Sequence, residues 1–306
     1  MSITSIFRSG GKSGRDSKYI GLVYIAPWII GFLVFQLYPF IMSFIYSFTE
    51  FSIIKAPKFV GLQNYINLFT NDRLFYESLK VTFIYVLISV PGKLIFALII
   101  AMILNMKLGA INFYRTVYYM PSILGGSVAV SVLWTFLFNR TGLVNILLGK
   151  LGVPVIDWLG SPDLALYTIS LLSVWQFGSS MVLFLAGLKQ IPAELYEAAR
   201  VDGAGRIRSF FNVTLPLLTP IIFFNMVMQM VNAFQEFTSA FVVTQGGPLR
   251  STYLYGVMLY EQGFRFLKMG YASALSWVLF FVIMVMTMLV FKSSRYWTHY
   301  EDEGDF

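Results

Sequence analysis

The feature that most constrains this chain is its set of long segments without acidic or basic side chains. Five such segments contain 23 to 31 residues each, and a sixth is equally apolar but contains Lys80 and Lys93. A helix that crosses a bilayer needs about 20 mostly apolar residues, so each segment is long enough to span a membrane. The segments are residues 19–49, 78–106, 116–139, 164–188, 209–235 and 269–291.

The overall composition excludes a water-soluble globular fold. Hydrophobic residues make up 57% of the chain and charged residues only 12%, whereas about a quarter of a typical soluble domain is charged. We therefore predict an all-α polytopic membrane protein with six transmembrane helices in a domain covering residues 19–292. The predicted spans are at about residues 20–48, 78–106, 114–138, 164–188, 216–243 and 269–291, flanked by polar segments 1–18 and 293–306.

The basic side chains predict the orientation of these spans. With both termini inside, the inner segments hold 12 lysines and arginines and the outer segments hold 8. The positive-inside rule therefore predicts cytoplasmic N- and C-termini, with the strongest contribution from Arg8, Lys12, Arg15 and Lys18. Because the basic residues are scattered between apolar segments, the net charge of +7 does not indicate a nucleic-acid partner.

The residue types available exclude most catalytic and cofactor chemistry. The chain has no cysteine and a single histidine, His299, which removes thiolate and histidine-cluster metal sites. Residues 10–13 read GGKS, but Ile6 stands where a phosphate-binding loop needs its first glycine. Lys80, Lys93 and Glu236 are too few for a proton relay through the spans. We expect no catalytic residue, no metal and no cofactor in this chain.

The polar interval between the fourth and fifth spans predicts a short helix of about three turns. Pro192 suits a helix start, Glu194 and Glu197 suit the positive end of the helix dipole, and Gly203 suits a left-handed C-terminal cap. A face of mostly small side chains would let another protein approach closely. This face consists of Leu195, Ala198 and Ala199.

The same interval contains a recognisable motif. Glu197-Ala198-Ala199, three residues, Gly203, nine residues and Val213-x-Leu215-Pro216 resemble the EAA loop of bacterial ABC importer permeases, with valine where isoleucine is usual. The segments FVGLQNY (59–65), IDWLG (156–160) and TQGGP (244–248) resemble the sugar and oligosaccharide branch, the family of the maltose permeases. The resemblance extends from about residue 19 to residue 291.

The resemblance implies a type I ABC importer permease fold, in a multi-pass protein of the bacterial plasma membrane surrounded by lipid. It further implies a second homologous permease subunit, two ABC ATPase subunits that bind ATP and Mg, and an extracellular sugar-binding lipoprotein. In such systems the loop at 189–216 couples the permease to the ATPase. The residues implied in this coupling are Glu194, Glu197, Ala198, Ala199, Asp202 and Gly203.

Two stripes of polar side chains predict a path for a polyhydroxyl solute. Asn225, Gln229, Asn232 and Glu236 are spaced by four, three and four residues, which places them on one face of the fifth span. The fourth span carries a second stripe. The predicted substrate-path residues are Ser173, Gln176, Ser180, Gln229, Asn232 and Glu236. The alternative, favoured for the serines, is that these groups hold the helices together by hydrogen bonds.

Two charged residues, Glu236 and Lys93, leave open whether the solute is neutral or acidic. Glu236 stands where the maltose permeases carry an uncharged amide, which is compatible with a neutral sugar and disfavours a strongly anionic solute. Lys93 could pair with a carboxylate of the partner permease, snorkel, or contact an acidic sugar, in that order of preference. The alternative functions are import of another polar solute by an ABC importer, secondary transport, and a scaffold role without transport.

Overall fold

A computed structural model describes residues 17–106 and 109–298, with side chains from residue 24 onward. The predictions that concern Arg8, Lys12, Arg15 and the segment 299–306 lie outside the described residues. The helices are α1 (Ser17–Phe32), α2 (Tyr38–Ser47), α3 (Gln63–Thr70), α4 (Arg73–Asn105), α5 (Ile111–Leu124), α6 (Val128–Phe138), α7 (Leu143–Lys150), α8 (Pro162–Trp175), α9 (Gly178–Gln190), α10 (Ala193–Val201), α11 (Arg206–Ser209), α12 (Leu215–Phe234), α13 (Tyr255–Tyr260) and α14 (Met269–Ser294).

Wider π-helical turns continue several of these helices. They cover Leu33–Leu37, Phe210–Thr214, Ala240–Thr244 and Glu261–Arg265. The two strands, β1 (Thr49–Ser52) and β2 (Lys55–Phe59), pair in an antiparallel hairpin.

The helices confirm a polytopic membrane protein. Among the described residues, five helices are long and apolar enough to cross a membrane, and a sixth span results if the pair α8 and α9, bent by 47°, is counted as one. The five are Tyr24–Ser47, Arg73–Asn105, Val128–Lys150, Arg206–Phe234 and Met269–Ser294.

Three predicted spans differ from the structure. The span at 114–138 is split into α5 and α6, because Gly126 has a positive φ of 72° and the Ser127 hydroxyl then caps α6 by accepting from the Ala129 amide. The span at 164–188 breaks at Gln176. The span at 216–243 instead begins at Arg206 and its helix ends at Phe234, so the loop predicted for 189–216 is shorter than expected.

Helix α4 lies at the centre of the bundle and packs against α8, α9 and α12. Glycines permit the closest approaches. A Cβ on Gly92 of α4 would lie 3.0 Å from Val174 Cγ2 of α8, and a Cβ on Gly187 of α9 would overlap Ile221 of α12. These contacts bring the polar faces of three helices towards one another.

The family-like segments outside the long helices have structural roles. The Asn64 amide donates to the backbone carbonyls of Ser47 and Thr49, at 2.8 and 3.0 Å, and so closes the end of α2. The buried Asn145 donates to the Ile156 carbonyl at 2.8 Å and accepts from the Trp158 indole at 3.1 Å. Polar side chains therefore fix the connections between helices.

Candidate substrate cavity and coupling helix

A polar cavity of about 320 Å³ lies between α4, α8, α12 and the break that separates α5 from α6. Five of the six predicted substrate-path residues line it together, although they come from two separate segments of the sequence. They are Ser173, Gln176, Gln229, Asn232 and Glu236.

Ser180, the sixth predicted residue, does not line this cavity. It follows Gln176 by four residues, but the helix breaks and bends by 47° between α8 and α9, so the expected common face is interrupted. The Ser180 hydroxyl is buried and has no hydrogen-bond partner among the described residues. Asn225, further down α12, is also buried and donates to the Ile221 carbonyl of its own helix at 3.2 Å.

Glu236 reaches the cavity by a different geometry from the one predicted. Helix α12 ends at Phe234, so the position of Glu236 does not follow from helical spacing. Its Oε1 accepts hydrogen bonds from the backbone amide and the hydroxyl of Ser239, both at 2.9 Å, at the start of the next helical turn. One carboxylate oxygen is therefore engaged in capping that turn.

The sequence analysis missed a third polar wall, on α4. Tyr85, Ser89 and Lys93 all line the cavity, whereas the sequence analysis named only Lys93 and did not connect it to a polar stripe. The Tyr85 hydroxyl lies near the hydroxyls of Ser89, Ser173 and Ser239. The three residues are spaced by four and four, the spacing that places side chains on one helical face, so this stripe could have been found from the sequence.

The breaks in the third and fourth predicted spans meet at the cavity. The Ser122 hydroxyl of α5 donates to the Gln176 carbonyl at 3.0 Å and accepts from the Ser179 amide at 3.0 Å. A Cβ on Gly178 would lie 2.7 Å from that hydroxyl, so only glycine leaves room for this contact. One serine thus satisfies backbone groups that the break in the fourth span leaves free.

The predicted coupling helix is α10, which begins after Pro192 and contains nine residues. Gly203 has a φ of 75°, and its amide donates to the Arg200 carbonyl at 3.0 Å. The Ala204 amide donates to the Ala199 carbonyl at 2.8 Å. These two bonds form a Schellman cap, so the left-handed conformation expected at Gly203 is confirmed.

Helix α10 presents most of the residues predicted for ATPase coupling to the exterior. Glu194, Glu197, Ala198, Asp202 and Gly203 are exposed, and Ala199 is half-buried. Nearby apolar side chains are exposed as well, with Val201 at 88% and Ile207 at 77%. The Tyr196 hydroxyl lies 3.0 Å from Thr214 Oγ1 and thereby connects α10 to the base of the helix that leads to the cavity.

The profile of one protein family matches residues 20–297, and it describes the inner membrane component of binding-protein-dependent transport systems. The chain belongs to this family. The match covers both the cavity and α10, and it confirms the resemblance to ABC importer permeases. The permease is thus a multi-pass protein of the bacterial plasma membrane.

Individual relatives agree with this assignment. The permease is 49% identical over 297 residues, 96% of each chain, to the probable ABC transporter permease protein YesP of Bacillus subtilis. It is 34% identical over 290 residues to the arabinooligosaccharides transport system permease protein AraP of the same organism, covering 91% of this chain and 90% of AraP.

A solved structure establishes the fold. The permease aligns with a chain of a bacterial ABC transporter involved in the import of the acidic polysaccharide alginate, with a TM-score of 0.80 and 21% identity. The alignment covers 91% of this chain and 96% of the other. The predicted ABC importer permease fold is therefore confirmed.

Proposed function

We propose that this permease imports a sugar or short oligosaccharide that an extracellular solute-binding protein delivers. ATP hydrolysis in two separate ATPase subunits would drive alternation between inward- and outward-facing states, with a second homologous permease completing the pathway. The observation that carries the proposal is the cavity lined by amide and hydroxyl groups from three helices and by a carboxylate from the segment after α12. The arabinooligosaccharide name of a relative of similar length supports the sugar class.

The chemistry of the cavity suits a polyhydroxyl solute. Gln176, Gln229 and Asn232 each offer an amide that both donates and accepts hydrogen bonds, which matches sugar hydroxyls in either role. Glu236 adds an acceptor whose second oxygen is not used by Ser239. The volume of about 320 Å³ lies at the small end of the range for ligand pockets, which suits a short saccharide rather than a polymer.

A single helix connects the proposed ATPase contact to the cavity. The helix from Arg206 to Phe234 contains 29 residues and is therefore about 43 Å long. It begins beside α10, to which Thr214 is joined through Tyr196, and ends with Gln229 and Asn232 at the cavity. In our proposal, Glu194, Glu197, Ala198, Ala199, Asp202 and Gly203 contact the ATPase. A displacement of α10 then reaches the cavity along one helix.

Reconstitution of the complete importer tests the proposal. The permease, its partner permease, the ATPases and the binding protein are placed in proteoliposomes, and uptake of labelled mono- and oligosaccharides is followed. Accumulation is expected only when both ATP and the binding protein are present. Accumulation driven by an ion gradient without ATP, or no uptake of any sugar that the binding protein binds, would contradict the proposal.

A further inference from the structure

Lys93 is held near the middle of its span rather than near a membrane surface. It lies twelve residues from the C-terminal end of α4 at Asn105, a distance of about 18 Å along the helix. Its other end, at Arg73, is further away. The preceding residue, Gly92, packs closely on Val174 and fixes the backbone against α8. A lysine side chain is too short to reach the headgroups from this depth, which disfavours snorkelling.

The Lys93 ammonium lacks a direct partner in the part of the chain that the structure describes. The ion pairs there do not include Lys93, and it forms none of the hydrogen bonds. It is half-buried and faces the cavity, where burying a cation is costly, and Glu236 offsets that cost only through space, without an ion pair. An anionic group that entered the cavity would remove that cost.

Glu236 lines the same cavity and attracts Lys93 electrostatically, but the two residues form none of the ion pairs among the described residues. Its Oε1 is engaged with the amide and hydroxyl of Ser239, which stabilise the negative charge at the start of a helical turn. The carboxylate therefore has hydrogen bonds within the protein, whereas the ammonium has none among the described residues. This geometry removes the main argument against an acidic solute, because the charge of Glu236 is partly satisfied within the protein.

We infer that Lys93 determines specificity by receiving the carboxylate of a uronic-acid unit in the transported oligosaccharide. The amides of Gln229 and Asn232 and the free oxygen of Glu236 then contact the sugar hydroxyls. A lysine presents one compact point charge, which can receive the carboxylate of a sugar acid. The inference rests on the proposed function and adds the chemical class of its substrate.

Uptake by the complete importer in proteoliposomes tests the inference with two probes, a labelled uronic-acid disaccharide and its carboxyl-reduced, neutral counterpart. Lys93→Met is expected to lower uptake of the acidic probe at least tenfold and of the neutral probe less than twofold. Lys93→Arg, which keeps the charge, is expected to retain most uptake of the acidic probe. Lys80→Met is the matched control, since Lys80 is exposed on the same helix and lies outside the cavity.

Other outcomes have distinct meanings. Equal loss of both probes in Lys93→Met would overturn the inference and indicate pairing with a carboxylate of the partner permease. Wild-type uptake of the neutral probe but not of the acidic one would overturn the inference while leaving sugar import intact. If the wild type takes up neither these probes nor any other saccharide that its binding protein binds, the proposed function and the inference fail together.

Discussion

Replacement of Gly256 by alanine tests how rigidly the fold holds the cavity carboxylate. Gly256 lies in α13, against the backbone of Glu236. A Cβ there would lie 2.6 Å from the Glu236 carbonyl oxygen and 3.1 Å from Phe237 Cβ, whereas ordinary contact begins at 3.4 Å. The two segments must therefore separate by about 0.8 Å.

The anchoring of α13 decides which segment moves. The Tyr255 amide donates to Thr82 Oγ1 at 2.8 Å, and the Tyr255 hydroxyl donates to the Leu275 carbonyl at 2.8 Å. Helix α13 is thus tied to α4 and α14, while Glu236 lies in the non-helical stretch after α12. We expect the added methyl group to displace Glu236 rather than α13.

The expected cost follows from overpacking. Extra methyl groups in well-packed interiors typically cost about 1 to 3 kcal/mol. If the strain is relieved by moving Glu236 away from the solute, a loss of about 1.4 kcal/mol in binding corresponds to a tenfold lower affinity. We therefore expect Gly256→Ala to reduce ATP-dependent sugar uptake about tenfold and to lower the melting temperature of the purified complex.

Uptake and ATPase activity are measured in parallel on the assembled complex, so that a folding defect is distinguished from a displaced carboxylate. The matched control is Gly149→Ala, because a Cβ on Gly149 meets no atom within 4 Å. Its uptake and melting temperature should equal those of the wild type. Wild-type uptake and stability in Gly256→Ala would refute the reasoning, since it would mean that the backbone at Glu236 yields without consequence.

Three further predictions concern single side chains. Glu236→Gln keeps an acceptor for the helical turn but removes the charge. We expect a stability loss of about 1 kcal/mol and a changed preference among sugars. Unchanged uptake and selectivity would exclude a ligand role for Glu236. Gly203→Asp places a side chain at a positive φ and should weaken ATPase association and uptake. Gly205→Asp is the control, because Gly205 has a negative φ just before α11, and it should weaken neither. Pull-down of the ATPase subunits measures the association in both variants. Tyr196→Phe removes the contact with Thr214 and should raise ATP hydrolysis relative to sugar transported, and an unchanged ratio would show that this bond does not transmit motion.

Much of this fold could be predicted from apolar segment length and from one motif. Hydropathy averages over about 20 residues, so it locates a span but does not detect a break of three residues such as that around Gly126. The same limitation concealed the bend after Gln176. That bend takes Ser180 away from the predicted face. Breaks in membrane helices depend on tertiary partners that satisfy the backbone, and no local pattern specifies those partners.

The cavity itself was predictable in part. The spacing of Gln229 and Asn232 was sufficient to identify one wall, because both lie within a regular helix. Glu236 was included by extending that spacing beyond the end of the helix, so its presence in the cavity has a different cause from the one assumed. Tyr85 was overlooked because a tyrosine in an apolar helix resembles lipid-facing bulk when its neighbours four residues away are not considered.

The hydroxyl of Ser122 has a consequence for how the cavity can open. It bonds the backbone on both sides of the break between α8 and α9, and it belongs to the helix just before the other break. One side chain therefore connects the two discontinuities. In the proposed transport cycle, a motion of α5 relative to α8 and α9 would break one or both of these hydrogen bonds, so we expect the two discontinuities to move together.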